Sequence, residues 1–456
     1  MYQKDYHIHF VGIGGIGMSG IAELLLNYGY KVSGSDIALS SITKRLEKLF
    51  GAVIYQGHKG IHIGNADVVV ISSAVSNNNP EVIFAKNKSI PVIQRAEMLG
   101  EIMRRKYSIA VSGAHGKTST TSIISQILNS ANLDPTVIIG GILKNYNTNA
   151  IYGKGDYILV EADESDGSFL KYSPCIAVIT NIDMEHLNFY KDIKDIKENF
   201  IKFINSVPFY GMAIIPFDNE YMQDILLNIK VPYITFGENI GADVQAQEIL
   251  FQGTKTIFKV FYKGQYLDEI KLNLLGRHNI SNALAGIALA LKLNISFKII
   301  KKTFKNINGV KRRMEFKGEK HDVVVIDDYG HHPTEIKTTL EALCMSFPEK
   351  RLVVVFQPHR YSRTKALFNE FLTCFDNSDI LIILPIYAAS EEKIKGINSE
   401  NLCEAIKNNG YKKVFFTSGF DNCLESLLNK LQKGDILLTL GAGDVYSLGE
   451  KILMES

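Results

Sequence analysis

The chain has 456 residues, which is too many for one hydrophobic core and predicts about three domains. A hydrophobic content of 46% and a charged content of 21% are typical of a folded protein, and a net charge of +2 argues against a nucleic-acid-binding surface. Five cysteines without a C-x-x-C pair indicate a reducing compartment, and no apolar run approaches the length of a membrane span, so we expect a cytoplasmic protein without a membrane partner.

The first predicted element is a buried strand over residues 7–11, which the glycine-rich turn 12–17 follows at once. Apolar residues at helical spacing cover 18–28, and a second strand over 31–35 ends at Asp36. This is the layout of a dinucleotide-binding turn, in which an acidic residue binds the ribose. Taken alone it predicts an NAD or FAD enzyme, but any diphosphate suits a helix N-terminus, so the turn leaves the ligand open.

Three more strands are predicted in this region, over residues 52–55, 67–72 and 91–93. Strands that alternate with helical segments predict a parallel sheet. The helix-like stretch 95–106 has a basic end and leads into the next strand. We therefore expect a Rossmann-like domain that ends near residue 106.

The second domain is predicted to begin with a strand over 107–111 and the loop 112–120, Ser-Gly-Ala-His-Gly-Lys-Thr-Ser-Thr. The loop predicts a phosphate site, because its glycines expose backbone N–H groups, Lys117 supplies a cation and the Thr118 hydroxyl can ligate a metal. Its spacing departs from G-x-x-x-x-G-K-[ST], since Val111 stands at the first glycine. A Gly-Lys-Thr triplet is common by chance, so the loop alone does not decide the function.

Polar residues follow the next two predicted strands, over 157–160 and 176–180. The first strand leads into an acidic run that begins with Glu161, and the second leads into a segment that contains His186. Such a run is usually a solvated loop, and an isolated histidine usually serves packing. At strand ends beside Lys117, however, these groups predict a magnesium and phosphate site, and no second His or Cys stands at the spacing that zinc requires.

Alternating apolar residues over 243–275, with a Lys263-Gly264 turn, predict an antiparallel insertion. The segment 276–282, Gly-Arg-His-Asn-Ile-Ser-Asn, then opens an alanine-rich helix. Asn279 and Asn282 either cap this helix or offer carboxamide edges to a base. The sequence leaves both interpretations open.

A third domain begins near residues 309–313 and again alternates strands with helices. Its loops after successive strands carry three His, two Arg and two Tyr within 327–333 and 357–363, and a fourth strand ends in 441–444. Paired guanidinium groups bind carboxylates through two parallel hydrogen bonds. These loops therefore predict a site for a small carboxylate. The predicted strands cover residues 323–326, 352–356, 380–384 and 436–440.

With these motifs in this order, the sequence resembles the Mur ligase family. The resemblance covers essentially the whole chain through five ordered blocks: 12–17, 113–120, 161–170, 276–282, and 327–333 with 359–363. It implies an α/β protein of three domains: a Rossmann-like domain over 1–106, a central P-loop ATPase-type domain over 107–310 with a mostly parallel sheet and a small antiparallel insertion, and a Rossmann-like domain over 311–456. It also accounts for the loop spacing, because the family's phosphate loop has the short G-x-x-G-K-[ST] form.

Within the family, the chain is similar to the members that join UDP-N-acetylmuramate to L-alanine with ATP and Mg2+ in peptidoglycan precursor synthesis. The resemblance implies a role for each matching residue. It implies that Lys117, Arg313 and His186 are catalytic residues. ATP is expected at Gly113, Gly116, Lys117, Thr118, Ser119, Asn279, Asn282 and Asp328, and Mg2+ at Thr118, Glu161 and His186. The UDP-sugar is expected at Gly14, Gly15, Ile16, Gly17, Asp36 and Ser73, and alanine at Tyr329, His331, Arg360 and Arg363.

One position departs from the family, which commonly has an acidic residue where this chain has Asn188. Other functions also stay open at this point. The glycine turn alone supports an NAD-dependent oxidoreductase, and the Lys117 loop alone supports a regulatory or transport ATPase. A nearer alternative is a ligase that attaches a preformed peptide to the same UDP-sugar. We expect a monomer or a weak homodimer.

Overall fold

The computed structural model of the chain describes residues 5–72, 74–143, 148–186, 189–253, 255–307 and 311–454. Its strands form three sheets, of five, ten and six strands, so the predicted three-domain α/β architecture is confirmed. By contact density the chain divides into two compact units, and the predicted domain boundaries stay predictions. The first unit comprises Met1–Gln247, Lys259–Asp268 and Ser281–Thr303, and the second comprises Glu248–Phe258, Glu269–Ile280 and Phe304–Ser456.

The N-terminal sheet is parallel throughout, with the order β3-β2-β1-β4-β5. The strand order reverses at β1, and the glycine turn that follows β1 therefore lies at the point where open α/β sheets bind their ligands. The predicted strands of this domain are present with small shifts at their ends. The strands are β1 (His7–Val11), β2 (Lys31–Asp36), β3 (Val53–Gln56), β4 (Val68–Ile71) and β5 (Val92–Gln94), and the helices are α1 (Ile16–Asn27), α2 (Ser41–Phe50), α3 (Pro80–Asn87) and α4 (Arg95–Met103).

Local sequence explains where these helices begin and end. The Ser40 side chain accepts a hydrogen bond from the Thr43 backbone and so caps α2, and Gly51 ends that helix with a left-handed φ of 75°. Asn79 caps α3 in the same way, and Pro80 occupies the first helical position, where no N–H is needed.

The central sheet has the order β15-β14-β13-β12-β11-β10-β6-β9-β7-β8. β6 lies inside the sheet between two parallel neighbours, β10 and β9, so the ends of these three strands are adjacent. The strands are β6 (Tyr107–Ser112), β7 (Thr136–Leu143), β8 (Thr148–Ile151), β9 (Tyr157–Glu161), β10 (Ile176–Ile179), β11 (Met212–Pro216), β12 (Tyr233–Gly237), β13 (Val244–Gln252), β14 (Lys255–Tyr262) and β15 (Gln265–Leu272). The helices are α5 (Lys117–Ser130), α6 (Ile193–Asn205), α7 (Glu220–Gln223), α8 (His278–Lys292) and α9 (Phe297–Lys305).

Both edges of this sheet depart from the parallel pattern. The predicted insertion corresponds to β13, β14 and β15, and Lys263-Gly264 forms the two-residue turn between the last two strands. At the opposite edge β7 and β8 pair antiparallel, which the sequence analysis did not predict. The insertion joins the sheet through β13, which pairs parallel with β12.

The C-terminal sheet has the order β16-β17-β21-β18-β19-β20 and is parallel except for β16, which pairs antiparallel with β17. The loops after β17, β18 and β21 therefore meet at one edge of the sheet. Separate apolar clusters cover its two faces. The strands are β16 (Glu315–Lys320), β17 (Val323–Asp328), β18 (Leu352–Phe356), β19 (Ile380–Ile383), β20 (Val414–Phe416) and β21 (Ile436–Leu440). The helices are α10 (Pro333–Ser346), α11 (Tyr361–Ala366), α12 (Phe368–Phe371), α13 (Ser399–Asn408), α14 (Phe420–Lys430) and α15 (Tyr446–Met454).

Candidate active site

The glycine turn after β1 is held by the end of β2. The amides of Gly12 and Ile13 donate to the carbonyl oxygen of Ser35 at 2.8 and 3.0 Å, and the Gly14 amide donates to Oδ2 of Asp36 at 2.8 Å. The Asp36 carboxylate thus braces the turn, and its predicted contact with a ribose stays a prediction.

Helix α1 starts beside a positive charge. Its N-cap is Gly15, which provides no side-chain cap, and a Cβ on Gly17 would lie 3.0 Å from Nη1 of Arg95. A helix N-terminus with a neighbouring guanidinium suits a diphosphate. Arg95 was not among the predicted site residues, because it stands far along the chain from the glycine turn, at the start of α4. Two residues of the predicted UDP-sugar site cannot be placed. Ser73 lies outside the described residues, and the side chain of Ile16 is not described.

The phosphate loop connects β6 to α5 and needs glycine at two positions. Gly113 has φ of 141° and Gly116 has φ of 79°, a region that residues with a Cβ rarely adopt. A Cβ on Gly113 would overlap the hydroxyl of Thr180, which follows β10. Asn181 binds both the backbone N–H and the carbonyl oxygen of His115, at 2.9 and 3.0 Å. The end of β10 therefore fixes the conformation of the loop.

Lys117 lies at the first position of α5, and its ammonium group is fully hydrogen-bonded. Nζ donates to the carbonyl oxygens of Gly113 and Ala114 at 2.7 and 3.2 Å, and to Oε1 of Glu164 at 2.7 Å. Burial alone would lower the pKa of Lys117, but the neighbouring carboxylates, Glu164 foremost, raise it above its ordinary value. The side chain is therefore a fixed cation in the loop.

Two of the predicted magnesium ligands are in direct contact. The Thr118 hydroxyl donates to Oε1 of Glu161 at 2.9 Å, and the Gly140 amide donates to Oε2 of the same carboxylate at 2.7 Å. The third, His186, lies with Nε2 3.3 Å from Oε1 of Glu164, which raises the pKa of the imidazole. His186 has a left-handed φ of 57°, a strained conformation of the kind that clusters at functional sites.

Glu164 is the residue of this site that the sequence analysis did not assign. Its side chain is 3% exposed, and its Oε1 contacts both Lys117 and His186. Within the part of the chain that the structure describes, its Oε2 is buried without a hydrogen-bond partner. The only available signal was its place in the acidic run after β9.

The oxygen donors here fit Mg2+, a hard cation. Among the residues that the structure describes, no group of three His, Cys, Asp or Glu side chains could hold a metal on its own. Mg2+ does not require such a cage, because substrate phosphates and water usually complete its octahedron. The contact between Thr118 and Glu161, with the buried unpaired oxygen of Glu164 three residues farther along the chain, is compatible with that arrangement.

The two asparagines of α8 contact protein groups. Thr120 donates its hydroxyl hydrogen to Oδ1 of Asn282 at 3.1 Å, and a Cβ on Gly116 would meet the same oxygen, so Asn282 lies against the phosphate loop. Asn279 donates to the carbonyl oxygen of Leu275 at 2.7 Å. Since α8 begins at His278, Asn279 is inside the first turn and is not the N-cap. Their contact with a base stays a prediction.

In the C-terminal domain, Asp328 is buried at the end of β17. Its carboxylate accepts hydrogen bonds from the amides of Met314 and Gly330, both at 2.7 Å, and burial raises its pKa to about 6. The guanidinium of Arg313 lies 5.4 Å from the ring centre of Tyr329 and 3.9 Å from Oε1 of Glu335. The predicted roles at ribose and phosphate are not tested by these contacts.

The loops after β17 and β18 bring the predicted amino-acid-binding residues together. The rings of Tyr329 and His331 are 5.5 Å apart, and His331 lies 6.0 Å from the His359 ring. Arg363 donates to Nδ1 of His359 at 3.1 Å. Burial, followed by the charge of Arg360, lowers the pKa of Arg363, so the two guanidinium groups are close enough to repel each other. A bound carboxylate would relieve that repulsion.

Three further residues of this pocket were not among the predicted ligands. Tyr387 stacks on His359 with ring centres 5.5 Å apart and an angle of 9°. Glu335 accepts the amides of His331 and His332 at 2.9 and 3.2 Å. Burial lowers the pKa of His359 to about 4, so its imidazole is neutral at pH 7 and adds no third positive charge beside the arginines.

Three family models match the chain in order. "Mur ligase family, catalytic domain" matches residues 7–107, "Mur ligase middle domain" matches 111–290, and "Mur ligase, glutamate ligase domain" matches 312–443. Together they cover most of the sequence.

Curated relatives match over nearly their full length. The chain is 61% identical over 453 residues to the UDP-N-acetylmuramate–L-alanine ligase of Desulforapulum autotrophicum, with 99% of each chain covered. It is 55% identical over 453 residues to the enzyme of the same name from Desulfosudis oleivorans, again with 99% of each covered.

Solved structures share the fold. UDP-N-acetylmuramate-alanine ligase MurC from Thermotoga maritima superimposes with a TM-score of 0.81 at 28% identity, covering 98% of both chains. A murein peptide ligase from Psychrobacter arcticus gives a TM-score of 0.68 at 24% identity, also covering 98% of both, which is likeness of fold alone. Among the described residues, no helix is both long and apolar enough to cross a bilayer. The three family models and the full-length relatives together establish that this chain belongs to the Mur ligase family.

Proposed function

We propose that this protein is an ATP-dependent ligase that forms an amide bond between the lactyl carboxylate of UDP-N-acetylmuramate and L-alanine, in peptidoglycan precursor synthesis. The observation that carries the proposal is the identity of 61% across 99% of the chain to a ligase of that name. The phosphate loop supports it, because an oxidoreductase that used the N-terminal turn would have no need of the Lys117 site.

The chemistry requires activation of a carboxylate, which is a poor electrophile. A carboxylate oxygen attacks the γ-phosphorus of ATP, ADP leaves, and an acyl phosphate forms. The alanine amine then attacks the acyl carbon, loses a proton, and phosphate leaves as the amide bond forms. Positioning and neutralisation of phosphate charge supply most of the catalysis in such a transfer.

We assign ATP phosphates to the loop of Gly113, Gly116, Lys117, Thr118 and Ser119, and Mg2+ to Thr118, Glu161 and His186. Lys117 is suited to this role because its charge is fixed at a helix N-terminus. Bound Mg2+ would supply further positive charge at the phosphates. Arg313 would act on the transferring phosphoryl group, and Asn279, Asn282 and Asp328 on the nucleoside.

We assign the UDP-sugar to the glycine turn and α1, and the amino acid to the C-terminal pocket. Arg360 and Arg363 would bind the alanine carboxylate, while the neutral His359 and His331 avoid repelling its ammonium group. A pocket walled by stacked aromatic rings favours a small side chain. We place the reaction in the cytoplasm, where ATP and nucleotide sugars are available, and expect a monomer or a weak homodimer.

The test is phosphate release from ATP with UDP-N-acetylmuramate across L-alanine, glycine, L-serine and a tripeptide. The proposal predicts that release requires the UDP-sugar and is fastest with L-alanine. Preference for the tripeptide would favour the ligase that attaches a preformed peptide. Release without any amino acid or sugar would indicate a plain ATPase and contradict the proposal.

A further inference from the structure

The ammonium group of Lys117 has no donor left for a phosphate. An ammonium carries three N–H donors, and the structure gives Lys117 three acceptors: the carbonyl oxygens of Gly113 and Ala114 and Oε1 of Glu164. A phosphate that binds Lys117 must therefore displace at least one of the three.

Glu164 is the partner that can leave. The Gly113 and Ala114 carbonyls belong to a loop that the end of β10 fixes, where the Ala114 amide donates to the carbonyl oxygen of Asn181 at 3.4 Å. The backbone of Glu164 is also fixed, because Tyr190 donates its hydroxyl hydrogen to the Glu164 carbonyl oxygen at 2.5 Å. The carboxylate itself needs only a side-chain rotation to leave Lys117.

A carboxylate that leaves Lys117 needs another cation. The Glu164 side chain is 3% exposed, and its Oε2 has no hydrogen-bond partner among the described residues. Loss of Lys117 would leave it with His186, at 3.3 Å, as its remaining positive partner. A buried charge without adequate pairing is costly, so the phosphate meets a barrier unless a cation enters with it.

The divalent cation that accompanies ATP can meet this need. Thr118, the next residue after Lys117, lies 2.9 Å from the Glu161 carboxylate, and both oxygens suit Mg2+. Glu161 and Glu164 are separated by two residues at the end of β9. The cation that these ligands hold is thus delivered to the end of β9, directly before the turn that carries Glu164.

We propose that Glu164 is a positioning residue that couples nucleotide binding to Mg2+: it occupies Lys117 when no nucleotide is bound and turns to the divalent cation when phosphates take Lys117. This inference rests on the proposed binding of ATP at Lys117. A purely structural ion pair gives a different expectation, because its loss would weaken nucleotide binding equally with and without Mg2+.

The experiment is calorimetric titration of the full-length protein with a non-hydrolysable ATP analogue, in Mg2+ and in EDTA. In Glu164→Gln, which keeps the shape of the side chain and removes its charge, affinity in EDTA should rise at least about fivefold, the lower end of ordinary coupling between sites. The affinity in Mg2+ divided by the affinity in EDTA should fall by the same factor. An unchanged ratio, or weaker binding in EDTA, overturns the inference.

Glu185→Gln is the matched control. Its carboxylate lies 3.6 Å from His186 and 3.6 Å from His115, so the variant removes a nearby charge that pairs with histidines. It should keep the wild-type ratio, and a ratio reduced as much as in Glu164→Gln would overturn a specific role for Glu164. If Glu164→Gln does not fold, Glu164→Asp replaces it: the shorter side chain should raise the affinity in EDTA to a smaller extent, and no rise overturns the inference.

Lys117→Ala separates this inference from the proposed function. If the analogue binds Lys117→Ala as tightly as wild type, nucleotide does not bind at this loop and the proposed function fails together with the coupling. If Lys117→Ala loses binding while Glu164→Gln leaves the Mg2+ ratio unchanged, the coupling alone fails.

Discussion

The carboxylate of Glu81 lies 3.2 Å from Nε2 of His9, and both side chains are completely buried in the N-terminal domain. Glu81 also accepts hydrogen bonds from Ser35 at 2.5 Å and from His58 at 3.0 Å. Because the Ser35 carbonyl holds the glycine turn, this network connects α3 to the strand that supports the predicted UDP-sugar site. The network should therefore stabilise this domain.

We expect Glu81→Gln to destabilise the protein by roughly 2 kcal/mol, since it leaves buried hydrogen-bond donors poorly satisfied. Burial alone would raise the pKa of Glu81, but hydrogen bonds from His9 and Ser35 hold it below its ordinary value of 4.5. A lowered folded pKa gives stability that is present above pH 4.5 and is lost as the pH falls through the folded value. The variant should therefore lose less stability than wild type on acidification below that pH.

Thermal unfolding of both proteins at neutral and acid pH measures this effect. The control is Glu101→Gln, whose partner Arg104 is 71% exposed and whose loss should cost under about 0.5 kcal/mol. Equal losses in the two variants would show that the Glu81 network contributes no more than a surface ion pair.

Arg312 should position Arg313. Its guanidinium lies between the rings of Tyr329 and Tyr446, at 5.2 and 4.8 Å, and donates to Asp327 at 3.1 Å. We expect Arg312→Lys to lower stability by about 1–3 kcal/mol, because lysine cannot reproduce the planar contacts, and to lower turnover as well. Calorimetry and initial rates measure the two effects.

Arg351→Lys is the matched control for Arg312. Arg351 binds Asp435 through two hydrogen bonds of 3.0 and 2.7 Å and is 26% exposed, compared with 21% for Arg312. It should lose similar stability and keep its turnover, measured well below its melting temperature. If both variants lost turnover equally, the effect of Arg312 would be general destabilisation.

Arg360 should act mainly on the amino acid. We expect Arg360→Ala to raise the KM for L-alanine by about 10- to 100-fold, the effect of losing a charge-assisted hydrogen bond of about 1.5–3 kcal/mol, and to change the KM for ATP little. Arg360→Lys, which keeps the charge but not the paired donors, should give an intermediate value. A proportionate rise for both substrates in steady-state kinetics would mean that the alanine pocket lies elsewhere.

Lys117 should be needed for chemistry and not for binding of the UDP-sugar. We expect Lys117→Ala to lower turnover by at least about 100-fold, as for loss of one charge-stabilising group in other enzymes. Calorimetric affinity for UDP-N-acetylmuramate should stay unchanged. A variant with normal turnover would exclude the phosphate-loop assignment.

Much of the fold follows from local patterns in the sequence. The strands β1, β6 and β18 are buried runs in which apolar residues predominate. The turns after β1 and β6 need glycine because Gly12 and Gly113 have positive φ angles. The strand β7 and the edge strand β8 were not predicted, because β7 contains Gly140 and Gly141 and so lacks the alternation that indicates a strand.

The site residues could be predicted where they stand next to one another in a sequence motif. Lys117 and Thr118 are fixed by their motif, whereas the role of Glu164 depends on the turn after β9. There, Asp163 accepts the Ser165 amide and Asp166 accepts the Ser168 amide, at 3.1 and 3.0 Å. Asp163 and Asp166 therefore stabilise the turn, whereas the carboxylate of Glu164 contacts Lys117. In the sequence all the acids of this run are equivalent.

Contacts between distant residues could not be predicted. His9 and Glu81 lie 72 positions apart. Tyr387 meets His359 through pairing of their backbones after β18 and β19, and no periodicity relates the two positions. Such contacts depend on the order of strands in the sheet, which a single sequence specifies only indirectly.

Phosphate release from ATP by the full-length protein, measured with each substrate omitted in turn, tests the proposed ligase reaction most directly. We predict release only when ATP, Mg2+, UDP-N-acetylmuramate and L-alanine are all present, with one UDP-N-acetylmuramoyl-L-alanine formed for each phosphate. Steady release without the UDP-sugar or without L-alanine would contradict it.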